Sequence, residues 1–122
     1  HRLQRCRRTL AIEPLTARLR HHQGAVIGLR RGMRLRALLA HLAVAQCNEV
    51  LIEAGATLAG AALRAGLVDE LIIYMAPTLM GSAARPLLDL PFASMDEKLG
   101  LQISDITAVG SDWRITARVG GA

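Results

Sequence analysis

The stretch NEVLIEAGATLAGAALRAGLVDELIIYMAP, Asn48–Pro77, decides how the chain is read. A short apolar run ends in a carboxylate, Glu53; Gly55 and the hydroxyl of Thr57 follow, then small residues on a helical beat, then a second apolar run. EVLIEA suits a strand buried on both faces of a parallel sheet. TLAGAALRAG suits a helix, with Thr57 near its start and Gly66 just past its end. DELIIYMAP is the next buried strand, and the unit is expected to be a right-handed parallel crossover.

In such sheets ligands bind beyond the carboxyl ends of the strands. Glu53 stands at that end. Gly55 permits a tight turn and leaves room against bare peptide, and the helix directs its unbonded N–H groups and positive dipole end to the same place. The arrangement suits an anion at residues 55–61, with an acid beside it for a neutral polar group. On the residues alone, a plain turn with a threonine cap remains the alternative.

Elsewhere, RRTLAI (Arg7–Ile12) and AVIGLR (Ala25–Arg30) read as short strands. EPLTARLRHH reads as a short helix on Leu15 and Leu19, with His21 and His22 at its end. Met33–Gln46 reads as a helix on the stripe Met33, Leu35, Leu38, Leu39, Leu42 and Ala45, with His41 on its outer side. TLMGSAARPLLDLPFASMDEKLG is a long irregular loop. LQISDITAVGSDWRITARVG alternates twice about GSD and predicts an antiparallel hairpin, with Leu101, Ile103 and Ile106 on one face and Trp113, Ile115, Ala117 and Val119 on another. The fold class is α/β, a mostly parallel sheet flanked by helices, with an antiparallel C-terminal edge.

At 122 residues the length suits one domain or part of one. Apolar residues make up 52%, enough for a core, and the only aromatics are Tyr74, Phe92 and Trp113. The core therefore rests on aliphatic residues, with Met75, Met80 and Met95 as filler. No run approaches a membrane span. Cys6 and Cys47 form no CxxC and have no histidine at ligand spacing, so no metal site is expected and two reduced thiols are. Residues 1–48 carry ten arginines against one acid, Glu13, a net of +9, whereas residues 49–122 carry five basic and nine acidic groups, a net of −4. No nucleic-acid motif accompanies the basic half, which reads as solvated surface. Arg85 is a candidate for a surface ion pair or for a ligand phosphate.

Val50–Leu90, VLIEAGATLAGAALRAGLVDELIIYMAPTLMGSAARPLLDL, resembles the reductase domain of the bifunctional riboflavin-biosynthesis deaminase/reductase. The shared features, in order, are a strand ending in EAG, a TLAGALL-type helix, GLVDEL, a strand ending in AP and a GxxAR loop. The hairpin Ile103–Val119 is similar to that family's C-terminal end, and the likeness extends over Ala25–Val119. It implies a dihydrofolate-reductase-like fold and an NADPH-dependent, cytoplasmic oxidoreductase. Such an enzyme reduces the ribosyl group of 5-amino-6-(5-phosphoribosylamino)uracil to the ribitylamino form. Glu53 then matches the acid that contacts this substrate, and Gly55, Ala56, Thr57, Leu58, Ala59, Gly60 and Ala61 match the segment that holds the NADPH phosphates; no residue here matches a catalytic group.

The resemblance also implies a homodimer through the C-terminal strands, without nucleic acid or membrane. Two positions depart from the pattern: Ala54 stands where many relatives have glycine, and Thr78 where some have lysine. The resemblance implies a longer domain than this, so residues 1–122 are expected to be a single, N-terminally truncated reductase domain that does not complete the reaction alone. The alternatives are a related reductase acting on another pterin or pyrimidine, and a non-catalytic remnant that dimerises or binds a nucleotide.

Overall fold

A computed structural model describes residues 34–120 and, as backbone, residues 7–12, 18–21 and 26–27. The order is β1 (Arg7–Ile12), β2 (Arg18–His21), β3 (Val26–Ile27), α1 (Leu35–Val44), β4 (Glu49–Glu53), α2 (Ala56–Arg64), β5 (Glu70–Met75), β6 (Leu101–Val109) and β7 (Asp112–Val119), with a 3-10 turn at Met95–Glu97 before β6. All seven strands join one sheet in the order β3-β2-β4-β1-β5-β7-β6.

Its centre is parallel. β1 pairs with β4 on one side (Leu10 opposite Ile52) and with β5 on the other (Leu10 opposite Leu71). The strand–helix–strand unit read from Asn48–Pro77 therefore exists, with β1 lying between its two strands. Antiparallel pairing extends the sheet at both edges. The expected β6–β7 hairpin joins β5, and β2 joins β4 on the opposite side. Arg18–His21 is thus a strand where the leucine spacing had suggested a helix, and His21 ends a strand; residues 13–17 and His22 lie outside the described residues. Two leucines four apart are a weak helical signal, and the open edge of β4 offers a ladder that overrides it. Of the expected strand Ala25–Arg30, Val26 and Ile27 are described, paired with β2.

Among the described residues the helices and the sheet share a core cluster. Leu38, Leu39 and Leu42 of α1 and Ala59, Ala62 and Leu63 of α2 pack with Val50, Ile52, Ala54 and Leu71 of the sheet segment. The leucine spacing on α1 puts its stripe on one face, and the small residues of α2 let that helix lie close to the strands. β4 alternates: Val50 and Ile52 are buried, whereas Leu51 and Glu53 are half-buried. The expected burial on both faces holds fully for only one, because both described helices contribute to the same cluster. Arg36 links the helices, its guanidinium donating to the Ala65 carbonyl at 3.0 Å, beside the C-terminus of α2. His41 is exposed, as expected. Cys47 is buried and free, and Cys6 lies outside the described residues.

The helices end alike. The amides of Gln46 and Cys47 donate to Ala43 and Leu42, and those of Gly66 and Leu67 donate to Leu63 and Ala62. Both are Schellman closures, which need one residue in the left-handed region. In α2 that residue is Gly66, at φ 65°; in α1 it is Gln46, at φ 62°.

The hairpin departs from its expected facing. Ile103 stands opposite Ala117, Ile106 opposite Ile115 and Leu101 opposite Val119, so the two apolar sets share one face. A bulge between Ile103 and Asp105 makes this possible, since the extra residue restores the phase that odd-to-even numbering breaks. Next to it the Thr107 hydroxyl donates to Asp105 Oδ2 at 2.7 Å, and Arg114 donates to the same oxygen at 3.4 Å. The Thr107 hydrogen bond, and secondarily Arg114, hold the Asp105 carboxyl below its ordinary range.

The apolar face of the hairpin continues the core face of β5 beyond the helices. Ala117 is fully buried, but Ile103 is 56% exposed, Ile106 54% and Trp113 43%. The methionines expected as core filler are also exposed: Met75 ends β5 beyond the packed region, and Met80 and Met95 lie in the segment between β5 and β6, where nothing among the described residues covers them.

Gln46→Gly is expected to stabilise the protein by about 1 kcal/mol, because a left-handed non-glycine residue costs roughly 1–2 kcal/mol. Urea unfolding would measure it, and an unchanged or lowered midpoint would show that the Gln46 side chain compensates.

Candidate functional site: the cleft at the start of helix α2

Because β4 is central and parallel to β1, its C-terminal end opens at the edge of the sheet layer, and the chain must reverse there to cover the sheet with α2. The reversal takes two residues, Ala54 and Gly55. Ala54 is buried in the core, and Gly55 is exposed at the N-cap with ordinary extended backbone, φ −69° and ψ 172°. A side chain built on Gly55 would meet nothing within 4 Å. Open space at the turn, rather than an unusual dihedral, is what glycine provides here.

The first bond of the α2 ladder runs from the Ala59 amide to the Gly55 carbonyl at 3.0 Å. The amides of Ala56, Thr57 and Leu58 precede that ladder, and no side chain among the described residues caps them. Thr57 is therefore not the cap that its position suggested; it is an exposed residue of the first turn. A cleft of about 520 Å³ lies against this turn. It is lined by residues 55–58 and, from the segment after β5, by Arg85, Pro86 and Asp89.

The seven sequence-predicted cofactor residues divide into two groups. Gly55, Ala56, Thr57 and Leu58 line the cleft. Ala59, Gly60 and Ala61 do not: Ala59 is fully buried in the core, Ala61 is half-buried, and Gly60 packs under the loop. Glu53 is half-buried at the end of β4 and is not among the residues lining the cleft. Strand alternation places it on the sheet face opposite Val50, Ile52 and Ala54, so the carboxylate and the amides flank the same strand end from different sides.

Arg85 lines the cleft, and it makes no ion pair among the described residues. Asp89 lines it too and was not singled out by its sequence. Its signal was indirect: the GxxAR loop is followed by LLDL, whose Leu88 and Leu90 pack on the core and carry Asp89 with them. Among the described residues no group of His, Cys, Asp and Glu is placed to hold a metal ion, and no helix is long and apolar enough to cross a membrane.

A parallel-centred α/β sheet, a glycine reversal into a helix whose first-turn amides no described side chain caps, and an antiparallel C-terminal hairpin define a dihydrofolate-reductase-like domain with a cleft at the start of α2. The chain belongs to the RibD C-terminal domain family, whose model matches residues 6–115. It is 47% identical over 76 residues to the riboflavin biosynthesis protein RibD of Escherichia coli K12, covering 62% of this chain and 21% of that protein. A 5-amino-6-(5-phosphoribosylamino)uracil reductase of Buchnera aphidicola is 40% identical over 79 residues, 64% of this chain and 38% of that protein. Among solved structures, Acinetobacter baumannii RibD superposes with a TM-score of 0.70 at 40% identity, over 78% of this chain and 27% of that one. The chain thus spans well under half the length of these three relatives.

Since the Thr57 hydroxyl caps nothing, Thr57→Ala is expected to shift stability by less than about 0.5 kcal/mol, against about 1 kcal/mol for loss of a working cap. A larger loss in thermal or urea unfolding would show that the hydroxyl holds the turn.

Proposed function

We propose that this chain contributes the cofactor-phosphate cleft of an NADPH-dependent reductase of riboflavin biosynthesis. Its substrate would be 5-amino-6-(5-phosphoribosylamino)uracil, whose ribosyl group is reduced to the ribitylamino form. The observation that carries this reading is the turn at residues 55–58, open to a cleft, with first-turn amides that no side chain among the described residues caps. The Buchnera relative is named for this reduction.

The residues present fit the phosphate part of a dinucleotide. A pyrophosphate needs N–H donors and close backbone approach, and Gly55–Leu58 offer both. Bound NADPH would supply the hydride. The chain's own part is placement: first-turn amides of α2 to hold the pyrophosphate, and Glu53 on the other side of the strand end to accept hydrogen bonds from substrate hydroxyl or N–H groups. Hydride transfer depends on holding two rings at reacting distance, so a rigid anchor for the distant phosphates acts on the reacting carbon through the cofactor's fixed geometry.

Residues 1–122 are read as one reductase domain in part, cytoplasmic, and paired with a second copy through the hairpin. The exposed apolar face of Ile103, Ile106 and Trp113 favours that pairing, as isolated proteins rarely leave such a contiguous patch open. The same face supports a second reading, a remnant that only dimerises.

Calorimetric titration of the purified chain separates the readings: NADPH binds, and more tightly than NADH, if the cleft serves this cofactor; binding of neither leaves only the dimerising remnant. Glu53→Gln is expected to leave NADPH affinity within about twofold while weakening the pyrimidine substrate by roughly tenfold, the scale of one charge-assisted hydrogen bond. An equal loss for both ligands would place Glu53 in the cofactor site instead. Sedimentation velocity should find a dimer that Ile103→Lys converts to monomer; a monomeric wild-type chain would refute the pairing.

A further inference from the structure

Gly60 belongs to the motif that points to the cofactor, yet it lies outside the cleft. A Cβ built on it would collide with the Asp89 carbonyl oxygen and lie 2.8 Å from the Asp89 carbonyl carbon. Those are backbone atoms, which no rotamer change moves aside. One turn earlier on the helix, the Ala56 carbonyl accepts a hydrogen bond from the Asp89 amide at 3.0 Å. Leu88 and Leu90, on either side of Asp89, pack on the core cluster. The loop is therefore docked on α2 at one point, and that point requires a glycine. Four residues before Asp89, after the turn closed by Ala84 donating to Gly81 and just ahead of Pro86, comes Arg85, a lining residue of the same cleft.

From this seating we propose that Arg85 contacts the pyrophosphate of the bound dinucleotide, and that Gly60 is a positioning residue that sets Arg85 there by letting the Asp89 backbone rest on α2. The inference rests on the NADPH reading above and goes beyond it. It adds a side-chain cation to a site otherwise made of peptide amides, and it moves Gly60 from ligand contact to loop support. The pyrophosphate is the group assigned because Arg85 shares its cleft with residues 55–58, whose amides suit that bridge. A guanidinium matches two oxygens of one phosphate in a forked pair. One bridging group held between those amides and Arg85 uses both sets of donors at once.

The test is a set of dinucleotide titrations on the full chain, with NADPH and NADH as probes. Arg85→Ala is expected to weaken both by a similar factor, about tenfold, and Arg85→Lys to recover part of the loss. Arg85 is exposed, so these variants should fold. Gly60→Ala should weaken both nucleotides as well and speed hydrogen exchange at the Asp89 amide, while the β5 and β7 amides keep their protection. Adding Arg85→Ala to Gly60→Ala should cost little more, since an undocked loop no longer presents Arg85. Unchanged affinities in Arg85→Ala, a loss confined to NADPH, or fully additive effects in the double variant would each overturn the assignment. Should the wild-type chain bind neither nucleotide, the NADPH reading falls and this one with it; should the wild type bind and Arg85→Ala bind equally well, only the present inference falls.

Discussion

The short reversal between β4 and α2 is the constraint on which the rest of the site depends. β4 runs parallel to β1 in the middle of the sheet, so the chain cannot continue outward as a hairpin; it must turn back and cover the sheet with a helix. Ala54 is held in the core at one end of the reversal and Ala59 at the other. Between them the backbone presents its first-turn amides outward. The cleft beside those donors is thus a by-product of parallel topology together with a connection too short to hide them.

Small residues on α2 turn this local geometry into a site with two walls. Ala59 and Ala62 are fully buried, so the helix lies low on the strands, and Gly60 admits a second layer of backbone above it. The loop after β5 settles there through Leu88, Leu90 and the Asp89 amide. The glycine- and alanine-rich signature of the helix therefore records two separate demands, with one set of residues facing the cleft and another held by packing.

Much of this was legible beforehand. The strand, turn and helix of Asn48–Pro77 announce themselves through a short apolar run, a glycine and an alanine-rich helical beat, and the hairpin through two alternating runs about Gly110. Where the sequence misled, the missing information was tertiary. Arg18–His21 became a strand because β4 had an open edge, which no local pattern at Leu15 and Leu19 reveals. Met75, Met80 and Met95 proved exposed because hydropathy reports a preference for burial but not the presence of a covering element. Thr57 looked like a cap since threonine favours that role, whereas the helix begins at Ala56, directly after Gly55. Asp89 had no motif of its own; its place follows from the loop on which it rides.

The extra residue in β6 has an effect on assembly. β6 is the outermost strand on its side of the sheet, and a straight, apolar outer strand is a template on which further copies stack without end. The irregularity between Ile103 and Asp105 splits the nine-residue strand into two shorter runs and places the anionic Asp105 and its hydroxyl and guanidinium partners at the break. Edgewise growth into fibrils therefore meets a discontinuous rail on this flank of the sheet.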